Sequence, residues 1–364
     1  MKLLVEKAVI LEALQKVQSI VGQRTTLPIL SNVLIQAEGD TLSLMTTDLE
    51  VSVKTSVEAD ITEAGATTLP ARRLFSICRE MPNPQIEIDV DVNNVASISS
   101  GAAFFKLVGL PEEDFPPLPV FDSTAAYTLD QSVFKEMLQK TSYAASTDES
   151  RYILNGSLLS FKEGHLTIVS TDGRRLALIE QEVNFPVAAE SNFVIPTKTV
   201  NELIKTLGEE NELKISSTET QVSFEFSNIL IISKLIEGTY PNFRQVIPAH
   251  SEQRVAIDRD VLLTALKRVS LLSDAQTSSV KLSFGENQLE LVTNTPEVGE
   301  ARETLPIKYD GPEITIAFNP VFVMDPLKHL ESDEVYFELT DELSPGVIKS
   351  NVPFLYVIMP IRVA

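Results

Sequence analysis

Tryptophan is absent from this chain of 364 residues, cysteine occurs once and histidine three times. The lone Cys78 excludes an intrachain disulfide framework and a thiolate metal cluster, and reads as a small core filler. His165, His250 and His329 lie far apart with no paired ligand spacing, which argues against a zinc site. No uninterrupted apolar run approaches the length of a membrane span, and residues 1–7 lack the apolar stretch of a signal peptide. A cytoplasmic protein without membrane contact is expected. Neither G-x-x-x-x-G-K-[ST] nor G-x-G-x-x-G occurs, so no phosphate-cradling loop or cofactor is expected. Basic residues are also scarce, 30 against 51 acidic ones, for a net charge of -21. Phosphate binding needs concentrated Lys and Arg. Net charge, however, speaks to solubility and steering, and an acidic exterior can coexist with a basic working face.

What is present is ample apolar material, 43% of the chain, and a pattern written three times. Residues 166–178 alternate apolar and polar positions on both sides of Asp172-Gly173-Arg174, which predicts strand, turn, strand. Similar runs begin at Leu42 and Leu289, at spacings of 124 and 123 residues. Each is preceded by a helical apolar period: Ile10, Leu14 and Val17; Phe134 and Leu138 after Asp130; Leu262, Leu266 and Val269 after Asp258. Asp130 and Asp258 are placed to cap those helices. Turns at Glu38-Gly39-Asp40, Glu163-Gly164-His165 and Gly285-Glu286-Asn287 open the hairpins, with glycine supplying positive φ. A second helix follows in each copy: Leu74, Ile77 and Met81 after Pro70; Val200, Leu203 and Leu207 after Pro196; and a looser set, Val323, Pro326 and Leu330, after Asn319. Pro326 is expected to start or kink that last helix. Strands at 85–91, 102–108, 212–216, 221–235, 334–339 and 354–361 complete the copies, each of which reads as two βαβ-like halves rich in antiparallel hairpins. Pro-containing stretches at 114–119 and 240–248 are natural linkers. Three domains, 1–124, 125–251 and 252–364, follow.

The six helix segments together carry a net charge of about +6, leaving roughly -27 for strands and loops. That segregation matters if the helices share one face. Among carboxylates, Asp148, Glu149 and Asp172 with Arg151 form the one arrangement that would suit acid/base chemistry. A side-chain bond to the turn backbone is the simpler role for Asp172.

Four motifs together, Thr171-Asp172-Gly173-Arg174-Arg175-Leu176, Tyr240-Pro241-Asn242-Phe243, Leu27-Pro28-Ile29-Leu30 and Met359-Pro360-Ile361-Arg362, are similar to those of the bacterial beta sliding clamp family, the beta subunit of DNA polymerase III. The resemblance spans the whole chain. It implies an α+β fold of three repeated DNA-clamp domains, with antiparallel sheets outside and two helices per domain inside, in a head-to-tail dimeric ring. It implies no enzyme activity, a homodimer, and duplex DNA encircled without sequence readout. Further implied partners are the clamp loader, replicative and translesion polymerases, and mismatch-repair and ligase-type proteins, held through short hydrophobic tails. The DNA-contacting positions carried over are Arg24, Arg73, Tyr152 and Lys198. The tail cleft maps to Leu154, Thr171, Gly173, Arg174, Arg175, Leu176, Pro241 and Val246, with Asn319, Phe322, Val357, Met359, Pro360, Ile361 and Arg362 from the third domain. The dimer contact maps to Phe105 and Leu107 against Leu271 and Leu272. Arg174 stands where His is frequent, Gln245 where a basic residue occurs, Phe322 where Tyr is frequent, and Ala364 extends past the usual end, which puts the cleft's polar contacts in doubt. Competing readings are an enzyme centred on Asp148 and Asp172 and a passive protein-binding scaffold. The corresponding turns are Thr47-Asp48-Leu49-Glu50 in the first copy and Asn294-Thr295-Pro296-Glu297 in the third, so the frame is shared and only the middle copy carries Asp172-Gly173-Arg174-Arg175-Leu176, which marks it as the expected docking point.

Overall fold

The computed structural model describes residues 1–22, 27–118, 121, 126–273, 279–296 and 298–362. Among them are six α-helices: α1 (Lys7–Val17), α2 (Ala71–Glu80), α3 (Gln131–Thr141), α4 (Thr197–Thr206), α5 (Arg259–Val269) and α6 (Pro320–His329). Their apolar periods are those read in the sequence. Ile10, Leu14 and Val17 of α1, Leu74 of α2, Phe134 and Leu138 of α3, and Val200 and Leu203 of α4 are all buried. On α2 the innermost third position is Cys78, with Ile77 only half-buried, so the cysteine is the core filler expected of it. Asp258 caps α5 by accepting the Val261 amide at 2.9 Å. None of the described helices is long and apolar enough to cross a membrane.

The described residues form two compact units, 1–133 with 201–235 and 134–200 with 236–364. The first unit holds a five-stranded sheet, which runs in spatial order Asp60–Glu63, Lys2–Glu6, Gln85–Val90, Val95–Ser100, Ala103–Val108. Its eight-stranded sheet runs Ala126–Asp130, Glu212–Ser217, Gln221–Phe226, Ile229–Lys234, Val51–Glu58, Thr41–Thr47, Asn32–Glu38, Gly65–Pro70. The second unit repeats the plan. Its eight-stranded sheet runs Ser191–Pro196, Gly156–Lys162, His165–Thr171, Arg175–Glu182, Phe354–Ile358, Gly346–Lys349, Glu334–Leu339, Gln253–Asp258. Its four-stranded sheet runs Gly299–Pro306, Gln288–Thr295, Val280–Gly285, Ile314–Phe318.

Each large sheet thus joins half of one repeat to half of the next, through Val51–Glu58 paired with Ile229–Lys234 and Arg175–Glu182 paired with Phe354–Ile358. A half-repeat left alone would present an unpaired strand edge, and pairing with its neighbour satisfies that edge. The βαβ-like reading needs correction. Each described strand pair is antiparallel, and α1 leads from a strand of the five-stranded sheet to one of the eight-stranded sheet.

Three local expectations also change. The run at 221–235 is a hairpin, turning at Ser227 with φ +52°, because two polar residues make the turn without a glycine. In the third copy's first hairpin the positive φ belongs to Asn287, not Gly285. Asparagine tolerates that region because its short polar side chain bonds locally. Finally, α6 continues through Pro326. A proline there cannot donate to the carbonyl four residues back. That carbonyl, Phe322 O, accepts the Tyr356 hydroxyl at 2.8 Å instead, which lets the helix run on.

Candidate functional site

The turn after His165–Thr171 is fixed by its own side chains. Thr171 Oγ1 accepts the Gly173 amide at 3.0 Å and donates to Arg175 O at 2.5 Å. Asp172 Oδ1 accepts the amides of Arg174 at 2.8 Å and Arg175 at 3.0 Å. Gly173 sits at φ +83°, where a side chain is strained. The Arg174 carbonyl accepts the Met359 amide at 2.9 Å, which carries the pairing of Arg175–Glu182 with Phe354–Ile358 one step past the strand end.

Arg175 is spent within the fold. It is one-tenth exposed and donates Nε to Asp172 at 3.1 Å, Nη1 to Asp325 at 2.6 Å and Nη2 to Tyr143 O at 2.6 Å. Its guanidinium lies 4.3 Å from the Phe322 ring centre. Burial pushes the Tyr143 and Tyr356 hydroxyls above their ordinary range, so both are neutral near pH 7. Tyr143, Asp325 and Tyr356 went unread in the sequence. They come from three distant segments, and no local motif ties them to the turn.

Beneath the turn, Leu176 and Val357 are buried, in one apolar cluster with Leu158, Val169 and Ile236. Ile153, Tyr240, Phe243 and Ile247 pack against it. Leu154 is also buried, and Thr171 is nearly so. The surface residues are different: Gly173, Arg174, Pro241, Val246, Met359, Ile361 and Arg362 are exposed, while Asn319, Phe322 and Pro360 are half-buried. Asn319 uses its side chain to cap α6 through the Val321 amide at 2.9 Å. Of the positions nominated for the cleft, Leu176 is thus buried (2% exposed), while Met359 (42%) and Val246 (46%) lie at the surface.

The first unit supplies an internal control. Thr47 Oγ1 accepts the Leu49 amide at 3.1 Å, and Asp48 Oδ1 accepts those of Glu50 at 3.0 Å and Val51 at 2.8 Å. The Glu50 carbonyl accepts the Lys234 amide at 2.8 Å, as Arg174 accepts Met359. The turn is thus repeated hydrogen bond for hydrogen bond, with Leu49 at φ +77° in the place of Gly173. The frame expected to be common to the copies is thus shared between these two turns, and their side chains differ. Glu50 replaces Arg174, Val51 replaces Arg175, Ser52 replaces Leu176 and Lys234 replaces Met359. The third copy's turn includes Glu297, outside the described residues.

The carboxylates of the enzyme reading are braces. Asp148 accepts the Ser150 amide and hydroxyl and Arg151 Nε, and the Ser150 bonds hold its pKa below the ordinary value. Arg151 Nη1 reaches on to Asp172 O at 2.6 Å. A general base working near neutrality needs the opposite shift.

Of the DNA-contact positions, Arg73 on α2, Lys198 on α4 and Tyr152 are exposed, and Arg24 lies outside the described residues. Lys7 donates to Met81 O, Lys140 pairs with Glu136, and Arg259 donates to Leu327 O and Ser332 O. Of the dimer-contact positions, Leu107 is buried in its own unit, while Phe105 is exposed and Leu271 strongly so; Leu272 is half-buried. The same edge strand exposes Phe104 (59%) and Val108, which sequence alternation did not single out.

Comparison with known proteins agrees with this architecture. Models of the N-terminal, central and C-terminal domains of the DNA polymerase III beta subunit match residues 1–119, 128–242 and 244–362. The chain is 38% identical over 362 residues to the beta sliding clamp of Chlamydia trachomatis, covering all of this chain and 87% of that one. A DNA polymerase sliding clamp from Bacillus subtilis superposes with a TM-score of 0.97 at 31% identity, and a Pseudomonas aeruginosa clamp bound to griselimycin with 0.96 at 32%, each over the full length of both chains. These matches remove the enzyme alternative and leave a replication processivity factor. The chain belongs to the DNA polymerase III beta subunit family, the beta sliding clamps.

Proposed function

We propose that two copies of this chain close head to tail around duplex DNA, and that the surface around Met359, Val246 and Gly173 captures the short hydrophobic tails of DNA-handling partners. The single observation that carries the tail site is the contrast between the two equivalent turns. One frame bears Gly173, Leu176 and Met359, and the other bears Leu49, Ser52 and Lys234. Only the first combines a close backbone approach with apolar walls, and adaptable methionine suits several ligands. The partners inferred are the clamp loader, replicative and translesion polymerases, and mismatch-repair and ligase-type proteins in the cytoplasm. The working subdivision is three repeats bounded near residues 124 and 251.

Closure is supported by two free sheet edges, Ala103–Val108 in the first unit and Gly299–Pro306 in the second. An edge carrying exposed Phe104 and Phe105 invites a partner strand, and a heterologous contact repeated about a two-fold closes both copies. Arg73, Lys198, Tyr152 and Arg24 would attract the phosphate backbone without reading base edges, so the duplex can slide.

The test uses Met359→Asp and wild type, each loaded on nicked circular DNA. Wild type should stay on the circle, leave when it is linearised, and bind a labelled hydrophobic tail peptide. Met359→Asp should keep its dimer mass and lose the peptide. Full peptide affinity in the variant refutes the cleft, and equal retention on linear DNA refutes the ring.

A further inference from the structure

In each repeat the first residue of the first helix stands at the end of the second helix. In the first copy this is Lys7, whose amide donates to Pro84 O at 2.7 Å and whose ammonium donates to Met81 O at 2.7 Å. In the third it is Arg259, whose amide donates to Asp333 O at 2.8 Å. Its guanidinium donates to Leu327 O at 3.0 Å and Ser332 O at 2.9 Å. A cation there complements the orphan carbonyls and negative dipole end of the second helix.

The middle copy places neutral Gln131 at the same point, its amide on Asn211 O at 3.1 Å. Gln131 is 98% buried. Its Oε1 accepts the Gly208 amide at 3.0 Å, and its Nε2 has no partner among the described residues. The loop from Leu207 to Asn211 is one residue longer than its counterparts. It carries Glu209 and Glu210, and Asn211 adopts φ +73°. Beside Gln131 and this loop a pocket of about 390 Å³ opens, lined by Gln131, Gly208, Glu210 and Lys16 with Phe226 and Ile229. Lys16 is already paired with Glu12 at 2.8 Å.

We propose that this pocket receives the guanidinium of an arginine side chain from a partner polypeptide, beside the one helix end that has no cation of its own at the position of Lys7 and Arg259. The helix end and Glu210 meet the charge. Phe226 and Ile229 take the methylene stem, and the unpaired Gln131 Nε2 donates to the backbone carbonyl of the entering residue. Glu209 adds acidic potential at the mouth.

The probe is Nα-acetyl-arginine amide, with the neutral citrulline analogue as control, followed by the Ile229 methyl resonance of the full-length protein. The arginine probe should shift this resonance saturably and the citrulline probe should not. Glu210→Gln should weaken binding about threefold, as expected of an exposed ion pair. Gln131→Arg, which supplies the cation from inside, should abolish the shift and raise the melting temperature. An unmoved methyl, equal response to citrulline, or a shift that survives in Gln131→Arg overturns the proposal.

Discussion

Exchanging Gly173 for leucine copies the first unit's turn into the second and separates the frame from its function. Leu49 already occupies φ +77° with the same four side-chain hydrogen bonds, so the backbone accepts a leucine there. The left-handed conformation costs an L-residue about 1–2 kcal/mol. Loss of glycine's freedom in the unfolded chain returns about 0.4–1 kcal/mol. A new Cβ would lie 3.0 Å from Arg151 Nη1, the far end of an exposed side chain able to give way. The net cost is about 1 kcal/mol, a melting shift of about 2–4 °C at most for a chain this long. Peptide binding should suffer more. A leucine side chain standing over the Arg174 and Met359 rim should cost at least about tenfold in affinity, or about 1.4 kcal/mol. Thermal melts and fluorescence anisotropy with a labelled tail peptide measure the two effects. A melting loss above about 10 °C would refute the equivalence of the turns. Unchanged affinity would refute the role given to Gly173. The reciprocal change, Leu49→Gly, should leave peptide affinity untouched.

Arg175→Met should cost about 2–3 kcal/mol, below the ~3–5 typical of a broken buried pair. The discount arises because Asp325 keeps Lys328 at 2.9 Å and Asp172 keeps two amides; a melting temperature equal to wild type would contradict the assignment. Burial pushes the Cys78 thiol up to about 12, so a disulfide-exchange reagent at pH 8 should label it only after denaturation. Rapid labelling of native protein would place it elsewhere. Asp148 has its folded pKa below the ordinary 3.8 because Ser150 donates to it, so its contribution is complete at neutral pH and is lost as pH falls through the folded value. Ser150→Ala should flatten the fall in melting temperature below about pH 4, and an unaltered profile would exclude that coupling.

The helices were legible because their signal is local. Leu14, Leu74 and Val200 recur at a period that one amphipathic face dictates, and burial follows. The hairpin around Asp172-Gly173-Arg174 was equally plain, since glycine and a threonine-aspartate pair encode the turn within five residues. Pairing between repeats was not legible. Val51 opposes Ser233 and Arg175 opposes Ile358, and alternation alone cannot name a partner so far away. The course of α6 was misread for a related reason, because Pro326 is tolerated through a hydroxyl on Tyr356. The cleft was half legible. Its apolar types were evident, but nothing local revealed that Arg175 faces inward while Met359 faces out.

The large sheets also set a timetable for making the protein. The strand Val51–Glu58 gains its outer neighbour only when Ile229–Lys234 has been synthesised. At ~5–20 residues per second that is a wait of roughly 9–35 s. During that interval the first repeat carries an incomplete sheet with an open, β-branched edge. A second such wait separates Arg175–Glu182 from Phe354–Ile358. Ribosome pausing inside either interval should therefore promote aggregation of the nascent chain more than pausing before Val51–Glu58 has been synthesised. Three repeats in the gene do not make three independent folding events.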